Sequence, residues 1–115
     1  MTINVRRSAV VAIAIGAFVG MPMLNGLVLA ANKHVSEAVE HAKEAVAHGK
    51  QGHADACVQH AQEALKHAQA AGMKNPHLDE GVKHSKEAVE HGKAGHADAC
   101  TEHADAALMH LSEVK

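Results

Sequence analysis

A chain of 115 residues has room for one domain and no more. Its only arginines are Arg6 and Arg7, so beyond the N-terminal segment nine lysines face 13 carboxylates, a net charge of about −4 with histidine neutral. That acidic stretch has no Tyr, Trp or Phe, so nothing in it grips phosphates or stacks on bases, and nucleic acid is excluded as a partner.

Residues 1–30 read as an export signal. Arg6 and Arg7 form a basic start, Ser8 to Val19 a short apolar run, and Val28-Leu29-Ala30 a cleavage site of small or modest residues. Gly20, Pro22, Asn25 and Gly26 interrupt the run, which falls short of the ~20 residues a spanning helix needs. The mature protein is therefore expected to be residues 31–115, in the periplasm, with no stable membrane association after cleavage. Its core must be thin, because it is rich in Ala and poor in large apolar side chains. A chain of roughly 85 residues buries only about 60–65% of its unfolded surface, and bound metal ions could supply missing stability.

Helices are predicted over 33–48, 53–71, 76–91 and 96–113. Asn75-Pro76 is a good N-cap and first-turn pair, and Gly72 a fitting C-cap for the helix before it. Two HGK-x-GH segments, at 48–53 and 91–96, place two glycines each in a short turn and make the flanking helices antiparallel neighbours. The fold class expected is all-α, an antiparallel up-down-up-down four-helix bundle made of two repeated helical hairpins.

Internal repetition supports this arrangement. Residues 34–67 align without a gap on 77–110 at an offset of 43, and 22 of the 34 positions are identical. All 12 histidines lie in these two blocks, at equivalent places. Each block divides again: His34, His41 and His48 are seven apart, as are His53, His60 and His67, and the two sets are related by a shift of 19.

Residues 35, 39, 42, 46 and 49 alternate spacings of four and three, the a and d positions of a heptad, with Ala38 and Ala45 at g. The histidines fall on c, about 60° beyond g, at the rim of the buried stripe. If helices one and two meet along their g flanks, both histidine columns line one groove. His48 then faces His53, His41 faces His60, and His34 faces His67. In the second hairpin His91 faces His96, His84 faces His103, and His77 faces His110. Two ladders of three pairs, on opposite sides of the bundle, are the result, with the outer pairs, His34–His67 and His77–His110, expected to be weak.

Converging neutral imidazoles suit Cu, Ni, Zn and Co. Glu37, Glu44, Glu80 and Glu87, at f beside the histidines, could orient the rings or complete coordination. A lone surface histidine usually does nothing; twelve at one heptad position are hard to explain as solvated filler. The candidate metal ligands are therefore all twelve.

Two cysteines in an exported protein first suggest a disulfide. The heptad puts Cys57 in the first groove and Cys100 in the second, with the bundle between them, which argues against an internal bond. Cys57 stands beside His53 and His60, and Cys100 beside His96 and His103, so both join the candidate ligand set. Two other readings stay open: a small side chain filling g, or a disulfide between two chains. Otherwise a monomer is expected.

With these repeats laid out, the sequence resembles the small metal-binding protein family, exported histidine-rich bacterial proteins. The resemblance rests on EAVEHAKEAVAHGKQGH (37–53) and its copy KEAVEHGKAGH (86–96) and covers essentially all of 33–115. It implies periplasmic sequestration or buffering of copper and other divalent ions, with the twelve matching histidines as ligands. Cys57 and Cys100 depart from the histidine repeat that marks the family. No nucleophile–base–acid constellation stands out, so no enzyme is expected. The alternative is a structural or interaction bundle whose histidines form a pH-sensitive surface.

Overall fold

The computed structural model describes residues 23–115, and side chains from residue 29. Four helices follow one another: α1 (Met23–Lys50), α2 (Ala54–Ala71), α3 (Pro76–Lys93) and α4 (Ala97–Ser112). The export signal expected over 1–30 lies mostly outside the described residues; residues 23–30 form the first turns of α1. That helix begins ten residues before its predicted start, since Asn32-Lys33 carries no stop signal and the chain before it continues in helical conformation. Among the described residues no helix is long and apolar enough to cross a membrane.

The turns follow the predicted chemistry in part: Gly52 and Gly95 lie in them, whereas Gly49 and Gly92, also expected there, lie buried in the last turns of α1 and α3. Gly52 and Gly95 adopt φ of 81° and 87°, a left-handed conformation open to glycine at no steric cost. In both turns the histidine after the glycine donates its backbone N–H to the carbonyl of a histidine in the last turn of the preceding helix, His53 to His48 and His96 to His91, each at 3.0 Å. Gly72 caps α2 in the left-handed region, and the Asn75 side chain accepts from the backbone N–H groups of His77 and Leu78 at 2.8 and 3.3 Å.

Each helix packs on two neighbours, α1 on α2 and α4, α3 on α2 and α4, and α2 also touches α4 across the diagonal. Positions d and g carry the centre of the seam. Ala38, Ala45, Ala64, Ala88 and Ala107 at g are fully buried, with Ala42, Ala61, Ala68, Ser85 and Ala104 at d. Residues at a lie further out: Val46, Val58 and Val89 are buried but keep 7–9% exposure, and Val39, Leu65, Val82 and Leu108 are half-buried. The seam is thus rotated from a–d toward d–g, because Ala, Gly and Cys at g let the backbones close down on that side. A Cβ added to Gly92 would collide with Val58 and stand 3.1 Å from the Cys100 Sγ; one added to Gly81 would lie 2.6 Å from Leu111.

This rotation corrects the expectation for the cysteines. Position g is the middle of the seam and not the wall of a histidine groove, so Cys57 and Cys100 meet where α2 and α4 touch. They form an intramolecular disulfide, Cα to Cα 6.5 Å, and both are completely buried. Neither sulfur is therefore a thiolate ligand in this state, and no free cysteine remains to join two chains. Around the bond Ala45, Val46, Val58, Ala61, Ala88, Val89 and Ala104 form one apolar cluster. A second, at the other end of the bundle, is centred on Val35, Leu78 and Leu111.

Candidate metal sites

A seam centred between d and g leaves position c about 80° away, on the shoulder of each helix. There the histidines of two antiparallel helices face each other in the groove, their stems against the seam and their rings partly open to solvent. Nine of the twelve are half-buried, while His53, His77 and His96 are exposed.

All six expected pairs form. The Nδ1 atoms of His34 and His67 lie 3.2 Å apart, those of His41 and His60 3.4 Å. In the second ladder His77 and His110 approach to 3.3 Å, and His84 and His103 to 3.4 Å. The pairs beside the turns are wider, with ring centroids 6.3 Å apart for His48 and His53 and 6.2 Å for His91 and His96. Rungs also stack on one another. His41 lies parallel to His67 with centroids at 5.6 Å, and His48 to His60 at 5.1 Å. His84 with His110 and His91 with His103 repeat this at 5.6 and 5.1 Å. Each ladder is thus one zigzag of six imidazoles.

Carboxylates enter the zigzag. Glu37 reaches His67 at 2.9 Å, and Glu44 lies 3.4 Å from His41 and 3.5 Å from His60. Glu87 lies 3.4 Å from His84 and 3.8 Å from His103, and Glu80 is 3.9 Å from His84. Five groups bring two imidazoles and a carboxylate within 4.8 Å of one another: His34–Glu37–His67, His41–Glu63–His67, His41–Glu44–His60, Glu80–His84–His110 and His84–Glu87–His103. All four glutamates picked from the sequence take part. Glu63 does not stand among them, although its position at f, 19 residues after Glu44, carried the signal.

Carboxylates are spread unevenly over the rungs, and among the described residues His77 belongs to no such group. The outer pair His34–His67 has a carboxylate, whereas among the described residues neither turn pair, His48–His53 nor His91–His96, belongs to such a group. Lys50 and Gln51 follow His48, and Ala56 and Ala99 stand at f after His53 and His96, where the other rungs have a glutamate.

The donor set fits a transition-metal ion. Two nitrogens bound tetrahedrally at about 2.0–2.1 Å from one ion stand about 3.3–3.4 Å apart, the separation these Nδ1 pairs already have. His48 Nδ1 and Glu87 Oε1 are buried without a hydrogen-bond partner. Buried polar atoms left unpaired cost about 1–3 kcal/mol each, and an ion would satisfy them. Two histidines and one carboxylate hold three corners and leave a further corner open, so an ion can enter and leave.

A search of curated proteins finds no match. The family described as small metal-binding protein matches residues 8–114, nearly the whole chain. On the strength of that match and of two ladders of paired imidazoles with carboxylates alongside, this chain belongs to the small metal-binding protein family.

Proposed function

We propose that residues 31–115 form an exported, non-catalytic buffer that reversibly binds several divalent transition-metal ions along its two ladders. The facing Nδ1 pairs at 3.2–3.4 Å, with carboxylates in reach, carry this reading. The sites are grooves on the surface, so they trade geometric selectivity for capacity. Affinity then follows the general order for nitrogen and oxygen donors, with copper(II) strongest and nickel, zinc and cobalt behind it. The disulfide fits an oxidising compartment such as the periplasm. Cys57 and Cys100, being joined and buried, take no part in binding. The protein acts as a monomer.

Copper(II) titration of residues 31–115 by calorimetry tests this, against a variant with His41, His60, His84 and His103 changed to Ala. Several ions per chain, with loss of at least two in the variant, is the expected result. Binding no greater than that of a histidine-free helical protein would leave a structural bundle as the better account.

Protons compete with metal for imidazole nitrogen, and an ordinary imidazole protonates near pH 6.5. Bound copper is therefore retained above about pH 7 and released as the pH falls toward about 5. Equilibrium dialysis across that range checks the direction; full retention at pH 4.5 contradicts histidine ligation.

A further inference from the structure

The two ladders differ in one donor. In the first, Glu63 stands between two rungs, grouped with His41 of the middle pair and His67 of the outer pair. The equivalent residue of the second repeat is Ala106. The inter-rung place does not stay without an acid there. Glu80 occupies it, grouped with His84 and His110, the counterparts of His41 and His67. In the first ladder the counterpart of Glu80 is Glu37, and it serves the outer rung instead, with His34 and His67. The first ladder thus has a carboxylate both between its rungs and at its outer pair, whereas in the second Glu80 serves the inter-rung place and His77–His110 has none.

We propose, resting on the metal-buffering reading above, that Glu63 is a metal-site residue that makes the two halves of the molecule unequal in capacity. With one nitrogen engaged per ring, the first ladder holds two ions at once in groups that share no residue, His34–Glu37–His67 and His41–Glu44–His60. Both groups of the second ladder need His84, so it holds one. The Glu63 group adds a way between the two sites of the first ladder. It keeps His67 from the outer site and His41 from the middle one. An ion can therefore exchange ligands stepwise, held by a histidine throughout, and pass from rung to rung without entering bulk water. Glu63 is half-buried beside the groove, where its carboxylate is within 4.8 Å of both nitrogens.

The test is calorimetric titration with zinc(II) alone of the disulfide-intact protein, its Glu63→Ala variant and its Ala106→Glu variant, with helicity followed by circular dichroism. Both substitutions lie on partly exposed helical positions, and unchanged helicity is expected. Removing Glu63 should cost one ion from the tight class, because Glu37 then serves the inter-rung place as Glu80 does; that site weakens at least about tenfold, as metal sites do when a supporting group is lost. Ala106→Glu should add one tight ion, and a Glu63→Asp variant should recover most of the parent's count. Equal tight-site counts in the parent, Glu63→Ala and Ala106→Glu proteins would overturn the proposal while leaving metal buffering intact. Absence of zinc uptake by all of them would overturn the buffering reading itself.

Discussion

Ser85 shows how single residues were fitted into a close-packed seam. It is 1% exposed, and its hydroxyl has no hydrogen-bond partner. The equivalent residue of the first repeat is Ala42, equally buried and with nothing to satisfy. Removing a buried, unpaired hydroxyl recovers its desolvation cost, so Ser85→Ala should raise stability by about 1 kcal/mol, read from a urea midpoint at unchanged slope. At this scale the sequence was most informative for the histidines. A residue type that occurs twelve times at one heptad position announces its own geometry, and all six pairs stand where the heptad put them. Glu63 was harder to see, because its role depends on lying between rungs, and the distance between successive rungs follows from how closely two helices pack. Composition alone does not fix that distance.

Helix packing is where the sequence was read least well, and the cause is particular. A heptad scan gives weight to Val and Leu, which lie at a and d, and little to Ala and Gly at g. In this chain the small residues decide. Alanines at g and the glycines Gly49, Gly81 and Gly92 let the helices approach until g becomes the centre of contact and a its margin. The cysteines, also at g, move with it from the predicted grooves to the interior. Closeness of this kind is easily disturbed. In Gly92→Ala the new methyl group meets the Val58 side chain and lies 3.1 Å from the Cys100 sulfur, with a backbone oxygen of Ala54 at 3.5 Å behind. Overpacking of about one methyl in a dense core costs about 1–3 kcal/mol. That exceeds the gain of roughly 1 kcal/mol from replacing a helical glycine. A net fall in melting temperature should result, whereas Gly52→Ala, with open space around it, should lose stability only through its positive φ.

For the molecule as a whole, the disulfide supplies what the small side chains cannot. The largest fully buried side chains are Leu111, the two cysteines and Ser85, so little apolar area is hidden per residue. Linking Cys57 to Cys100 closes a stretch of 43 residues, and in the chain-entropy description a loop of that length is worth about 4 kcal/mol against the unfolded state. A Cys57→Ser, Cys100→Ser protein should lose stability of that order in urea unfolding, and copper should restore part of it by binding only the folded form. The fold class and the pairing of elements were legible because turns of three or four residues and a constant repeat offset leave few topologies. The disulfide was not, because it depended on which face of each helix was innermost.

The separation of the two cysteines, 43 residues, is also the offset between the repeats. A covalent bond between a residue and its own copy can lie only on the axis that exchanges the copies. The molecule therefore has the form of an isologous dimer of hairpins, fused into one chain through residues 72–75. The partner contacts agree, since α1 on α4 and α3 on α2 are the same contact seen twice. The turns agree as well, with His53 and His96 at φ of −90° and −93°. A substitution in one half thus leaves the equivalent place in the other half with its own residue and surroundings. Ser85 where the first hairpin has Ala42, and Ala106 where it has Glu63, are places at which the two halves of the pseudo-dimer are no longer equivalent.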